Sequence, residues 1–319
     1  MMKRLLLALI FVCFASVAQA HSTRESFSNF YGYKAVGSLV KTEGKRPIKF
    51  AQLSGGFMFP GPGTPHSSGG GCSQATTFLA RTSLTGSDVT NYTNLICGMV
   101  TDGLITGDLS TTGCGSLFDV LYILATANAT DALKNICGTN FTGNNTGLTF
   151  TAYSGFTAVS GQLLQTNFNP STATSPNYTQ NSAHISEWNL VNSGTTSIDA
   201  TAGTGENTIF ASGSINSRVN DNPESSGFSA SDFRGHILGN RSSSTARQLY
   251  QNASTTLIGG TTATYPSTPS QAVNNTAFSL LSLGDHTGAM ASIGASLNST
   301  QVTNFYNRLR TYMTAVGVP

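Results

Sequence analysis

Beyond Gly138 the apolar positions fall into short runs separated by Gly, Asn, Ser and Pro. The runs are Leu148–Tyr153, Gly161–Thr166, His184–Val191, Asn207–Ala211, Ser217–Val219, Gly235–Asn240, Arg247–Tyr250, Thr255–Ile258, Ala277–Leu283 and Ala289–Ile293. Strand-length pieces at intervals of roughly ten to fifteen residues, bounded by turn formers, predict a β-sandwich or barrel. Upstream, Leu117–Thr126 (LFDVLYILAT) is almost wholly apolar and predicts a strand buried on both faces. Two other segments carry helical periodicity. Val89, Tyr92, Leu95, Ile96, Met99 and Val100 recur at helical spacing after Ser87, with Gly103 as a stop. Val302, Phe305, Tyr306, Leu309, Tyr312, Met313 and Val316 do the same after Asn298 or Ser299, and Gly317 ends the pattern ahead of Pro319. Arg308 and Arg310 lie toward the C-terminal half of that helix, where positive charge suits the dipole. Asn128–Cys137 predicts a further short helix capped by Asn128 or Thr130. The expected class is mainly β: a two-sheet antiparallel sandwich with an N-terminal helical segment and a C-terminal helix covering one end or face.

Four zones are expected along the chain. Residues 1–20 read as a secretory signal: Lys3 and Arg4, an apolar run from Leu5 to about Ala15, then Ala18-Gln19-Ala20 at a cleavage position. Without it the 16 basic residues fall by two and balance the 14 acidic ones, so the exported chain is neutral with its histidines uncharged. Residues 21–54 form a leader with six basic and two acidic residues, and residues 55–71 (GGFMFPGPGTPHSSGGG) have the composition of a linker. Residues 72–319 form the helix-flanked sandwich domain. Secretion or a periplasmic location follows from the signal. Cysteine usage agrees with an oxidising route, because Cys72, Cys97, Cys114 and Cys137 remain after the signal is removed. Four cysteines allow three pairings, of which the neighbour pairing closes two loops of about 25 residues, each worth about 3 kcal/mol. No CxxC occurs and no histidine lies between Cys72 and Cys137, so zinc is not expected.

Charge and motif narrow the chemistry. Only 9% of residues are charged and no basic cluster is interleaved with aromatics, which speaks against nucleic acid. Beyond the signal no apolar run is long enough to span a membrane. Glycoside hydrolysis needs two carboxylates roughly 5–10 Å apart. The same-face spacing that a strand would use for such a pair is missing: Glu187 stands alone, Glu206 sits in a Gly-rich stretch, and Asp221 and Glu224 flank Pro223. No GxSxG elbow or phosphate loop is present, and His286 beside Asp285 reads as a polar turn. Calcium would need an acidic loop that the sequence lacks, so no cofactor is expected. What remains is recognition. In His184–Trp188 the alternation places His184, Ser186 and Trp188 on one face and Ile185 and Glu187 on the other. Trp188, the only tryptophan, is read first as core and second as a stacking platform for a sugar. Arg218, Asn220 and Asp221, with Arg234, His236, Asn240 and Arg241, form the densest polar group and would make a ligand-binding patch if adjacent strands join them.

The stretches Gly235–Arg241 (GHILGNR), Arg247–Asn252 (RQLYQN), Phe278–Gly284 (FSLLSLG) and Ala291–Leu297 leading into a Gln301–Tyr306 helix resemble concanavalin A-like, laminin-G-like jelly rolls of the kind found in bacterial secreted and phage surface proteins. The resemblance covers about residues 72–319. It implies a jelly roll used for sugar or surface recognition, and no settled catalytic activity. The expected function is a secreted, non-catalytic module that binds a carbohydrate or cell-surface polymer. The alternatives are a structural or adhesive component of a phage tail or cell envelope, which would form a homo-oligomer, and a polysaccharide-active hydrolase.

Overall fold

The computed structural model describes residues 71–159, 161–192, 198–200, 206–211, 214–221, 227–282 and 286–319. The expected signal, the basic leader and all but the last residue of the linker lie outside the described residues, as do Glu224, Asp285, and His21 and His66.

Two antiparallel sheets make the body. The strands are β1 (Phe118–Ile123), β2 (Asn144–Thr146), β3 (Thr149–Thr151), β4 (Gly155–Thr157), β5 (Leu163–Gln165), β6 (Ala183–Asn189), β7 (Ile198–Ala200), β8 (Glu206–Ala211), β9 (Ile215–Asp221), β10 (Gly235–Arg241), β11 (Arg247–Gln251), β12 (Ser279–Leu280) and β13 (Thr287–Gly294). One sheet runs β11-β10-β6-β13-β4-β3, with β1 also paired to β13; the other runs β2-β5-β12-β7-β8-β9. Among the described residues four helices accompany them: α1 (Ser73–Leu79), α2 (Ser87–Thr101), α3 (Ala129–Ala132) and α4 (Ser299–Ala315).

Strands β1, β6, β10 and β13 of the first sheet are buried on both faces, and this decides where the helices and the second sheet sit. Its inner face packs Val120, Tyr122, Ile185, Ile237, Ala291 and Ile293 against Leu164, Ile209, Val219 and Phe278. Its outer face packs Phe118, Leu121, Ile123, Trp188, Leu238 and Met290 against Phe78, Tyr92 and Met99 of α1 and α2 and Phe305, Leu309 and Tyr312 of α4. The apolar stripe of α4 thus covers a sheet face, as its spacing predicts. Asn298 caps α4 through a reciprocal pair with Gln301: the Gln301 amide donates to Asn298 Oδ1 and the Asn298 amide to Gln301 Oε1, both at 2.9 Å. Arg308 ties α4 to α2 by two charge-assisted bonds to Asp102, at 2.7 and 2.9 Å. The guanidinium crosses α2 at Gly98, where a Cβ would stand 2.7 Å from Arg308 Cδ.

The disulfides take the neighbour pairing, Cys72–Cys97 and Cys114–Cys137. The first holds the start of α1 against α2, so the helical layer is cross-linked before it meets the sheet.

Sequence and structure part at six places. Thr255–Ile258 forms no strand, only an isolated Thr256–Thr262 bridge. The helix expected over Asn128–Cys137 shrinks to the single turn α3, because Asn135 turns its amide inward, accepting from Leu121 and Cys137 and donating to Asp119 and Asn140. α1 and the short strands β2, β4 and β7 are additions that hydrophobic pattern alone does not mark.

Candidate functional site

The ladder between β6 and β10 places His236 directly opposite Trp188. Both point to the helical side of the sheet, and Tyr306 of α4 lies over the two of them. The three rings are nearly parallel: Trp188 and Tyr306 lie 6.0 Å apart at 7°, His236 and Tyr306 6.3 Å at 14°, and Trp188 and His236 6.3 Å at 21°. Trp188 is 1% exposed and His236 fully buried, while Tyr306 is half-buried.

A cleft of about 340 Å³ opens at this end of the sheet, lined by Trp188, Asn189, Leu190, Asp232, Arg234, Gly235, Asn252, Ile258, Tyr306, Arg310 and Pro319. Its polar groups differ in how far they are already engaged. Asn189 is spent on the Val191 amide and the Val191 and Phe233 carbonyls, and Asn252 Oδ1 accepts the His236 amide. Gly235, at φ +97°, lets that asparagine close over the strand start, since a Cβ there would sit 2.4 Å from Asn252 Oδ1. Arg234 grips Asp232 with Nε at 3.0 and 3.1 Å and an Nη at 2.6 Å. The guanidinium's hydrogen bonds hold the Asp232 carboxyl below its usual range. By contrast the Trp188 indole N–H finds no acceptor. Arg310 is exposed, its guanidinium 6.0 Å from the Trp188 ring centroid, with no ion pair among the described residues.

Of the eight candidate ligand-binding residues, the structure brings Trp188 and Arg234 to this cleft, with His236 stacked beside Trp188. Asn240 turns into the helical layer, donating to the Leu297 carbonyl and accepting the Leu297 amide. Arg241 ends β10 away from the cleft, Asn220 and Asp221 end β9 of the second sheet, and all three are buried. Asn220 Oδ1 accepts from Tyr178 Oη, and its amide donates to the Thr179 and Gln180 carbonyls. Asp221 lies between Arg241 and Arg247. Arg218 is half-buried on β9, paired across the ladder with Thr208. The patch expected of the seven polar residues is therefore divided, because the helical layer and the second sheet close over both faces of β6 and β10. Tyr306 and Arg310 escape the sequence reading, which absorbs them into the helix's apolar stripe and dipole. Their i, i+4 spacing, an aromatic followed by a cation on one helix face, was the available signal.

Two buried groups look like chemistry and are not placed for it. His184 Nε2 lies 3.0 Å from Ser292 Oγ, which lies 2.7 Å from Ser186 Oγ, yet all three are fully buried. Glu187 and His286, 3.6 Å apart, are also buried. Among the described residues no group of three or more His, Cys, Asp or Glu could hold a metal ion, and no helix is long and apolar enough to cross a membrane.

The buried histidines make stability depend on pH. Burial holds His184 down to about 4, against the Ala295 carbonyl that raises it, and burial with a smaller contribution from His184 holds His236 at about 3. Their ordinary value is 6.5, so below that pH the unfolded chain takes up protons that the folded chain refuses. Their stabilisation is complete above about pH 6.5 and is lost as the pH falls toward 4 and 3. Asp119 works the other way, because burial raises it to about 6 despite the Asn177 and Tyr178 amides. It adds stability as pH falls from 6 toward 4. Two groups outweigh one, at about 1.4 kcal/mol per pH unit for each uncompensated proton. Urea denaturation at pH 5 should give a stability about 2–3 kcal/mol below that at pH 7. Equal values at the two pH values would refute the neutral, buried histidines.

No family model and no curated protein matches the chain. Among solved structures, domain 4 of a GH43 extracellular arabinanase from Geobacillus stearothermophilus, in complex with arabinotriose, aligns at TM-score 0.36 and 16% identity, over 59% of this chain and 98% of that one. The sialidase of Trypanosoma rangeli aligns at TM-score 0.36 and 10% identity, over 70% of this chain and 39% of that one, so this chain spans well under half the sialidase's length.

Proposed function

We propose that the chain is an exported, non-catalytic jelly-roll module that recognises carbohydrate at the Trp188–Tyr306 cleft. The observation that carries this reading is the lining itself: the half-buried Tyr306 ring, backed by Trp188, beside guanidinium and carboxylate groups at an open cleft. Sugars are held in this way, by ring faces on their C–H surfaces and planar polar groups on their hydroxyls. Two disulfides suit an oxidising compartment, in line with the export signal. Hydrolysis is disfavoured because, among the described residues, Asp232 is the one carboxylate side chain in the lining and Arg234 already engages it, whereas a glycosidase needs a pair.

Glycan-array binding followed by calorimetry tests the reading. Arg234→Ala should weaken the binding of any captured glycan about tenfold, as expected for loss of a charge-assisted hydrogen bond. Because Arg234 is exposed, its removal should shift stability by no more than about 0.5 kcal/mol. An array without a single bound glycan, or binding indifferent to Arg234, would end this assignment.

A further inference from the structure

The cleft holds two arginines in different states, and the difference bears on the ligand. Arg234 is matched by Asp232, so the pair is neutral and the Nε–Nη2 edge is occupied, which leaves Nη1 for a sugar hydroxyl but no free fork for a carboxylate. Arg310, one turn after Tyr306 on the same face of α4, has no carboxylate within reach among the described residues. The side-chain charge of the lining is therefore +1, and it is located at Arg310. The Trp188 indole N–H also lacks an acceptor, but it is closed to solvent, which leaves Arg310 as the group that meets a ligand. The neutral hydroxyl of a sugar answers one donor of that guanidinium. A carboxylate answers it better, because it only accepts, is planar, and matches the guanidinium fork with two parallel bonds.

We propose that the cleft selects acidic saccharides, with the carboxylate of a uronic-acid unit seated on Arg310 and the sugar ring against Tyr306. This rests on the carbohydrate reading above and narrows it to a ligand class. No bond is made or broken. Trp188 backs the site from beneath Tyr306, and the selectivity resides in Arg310.

The sole tryptophan lines the cleft and reports occupancy through its emission. The full exported chain would be titrated with oligomers of galacturonate, glucuronate and mannuronate, with the carboxyl-reduced neutral form of each, and with a sulfated neutral oligomer. At least one oligouronate should bind tenfold or more tighter than its reduced form, with the gap narrowing as salt rises. Arg310→Gln should abolish the gap, read as the ratio of oligouronate to reduced-sugar affinity falling to within twofold of one. Arg310→Lys, which keeps the charge and loses the fork, should retain only part of it. Equal binding of acid and reduced forms would overturn the acidic preference and leave the carbohydrate reading standing. Binding of the sulfated oligomer alone would overturn the carboxylate assignment. Silence across all the sugars would overturn both.

Discussion

Asp221→Ala is expected to lower the stability of the domain by about 3–5 kcal/mol, the usual consequence of removing one partner from a buried ion cluster. The carboxylate is buried between two guanidiniums. One oxygen lies 3.6 Å from Arg241 and the other is hydrogen-bonded by Arg247, with all three side chains at most 3% exposed. Arg241 is further held by the Val219 carbonyl at 2.6 Å and the Thr268 carbonyl at 3.2 Å, and the Arg247 guanidinium lies 3.9 Å from the Tyr265 ring centroid. These contacts fix both cations in place, so neither can swing to water when the carboxylate is lost. The surroundings are equally rigid. At Gly239, one register step from Arg241 on the same face, a Cβ would stand 1.7 Å from Ser217 Oγ, which shows how closely β10 and β9 approach here. Replacing Arg241, Asp221 and Arg247 together by apolar residues of similar volume should cost far less than Asp221→Ala alone, since no uncompensated charge remains. Urea melts of the two variants make the comparison. A loss under 1 kcal/mol for Asp221→Ala would mean that the carbonyls and the ring hold the guanidiniums without it.

The sequence carried the architecture and misplaced much of the polar chemistry, for a physical reason. Alternation in His184–Trp188 and the period of Val302–Val316 are local signals, and they identify β6 and α4 with the correct faces. The unbroken apolar run Leu117–Thr126 marks β1 as two-sided, with Val120 and Tyr122 in one core and Leu121 and Ile123 in the other. The polar strand residues are another matter. Ordinarily His236, Asn240 and Arg241 on one strand, and Asn220 and Asp221 on another, would read as solvent-facing, because a sandwich strand has one wet face. Here α1, α2 and α4 roof the outer face, so β6 and β10 have no wet face at all. No periodicity in a strand can announce that a helix some sixty residues away will cover it. Arg310 was hidden for the opposite reason. Its place at the cleft depends on where α4 lands, which is a tertiary fact, and its local pattern is that of any amphipathic helix. Asn135, which stops α3 by turning inward, was equally invisible, since an asparagine in a helical window carries no mark of where its amide will bond.

Trp188→Ala should be nearly as damaging as Asp221→Ala, by about 3–5 kcal/mol, and for an apolar reason. Its ring is among the largest fully buried side chains and joins the sheet to α4 through Tyr306, with His236 alongside. Removing it deletes the transfer energy of the indole and leaves a hole that Tyr306, Phe305 and the helix backbone cannot all move to fill. Stacking worth about 0.5–1.5 kcal/mol beyond burial is lost as well. A second effect should follow from the same hole. His236 is neutral because it is walled in; with the indole gone, water reaches its ring, its pKa rises toward 6.5, and less stability is lost between pH 7 and pH 5. The variant should therefore be less stable at pH 7 and also less acid-sensitive than the wild type. Trp188→Phe, which keeps most of the volume, should show a smaller form of both changes. It follows that failure of Trp188→Ala to bind a sugar would say little about a contact, because the cleft wall has collapsed. Binding must be judged at Arg310 and Arg234, whose side chains are exposed and whose loss leaves the fold intact. If Trp188→Ala melts like the wild type, Tyr306 does not need its stacking partner, and the aromatic wall assigned to the cleft would have to be redrawn.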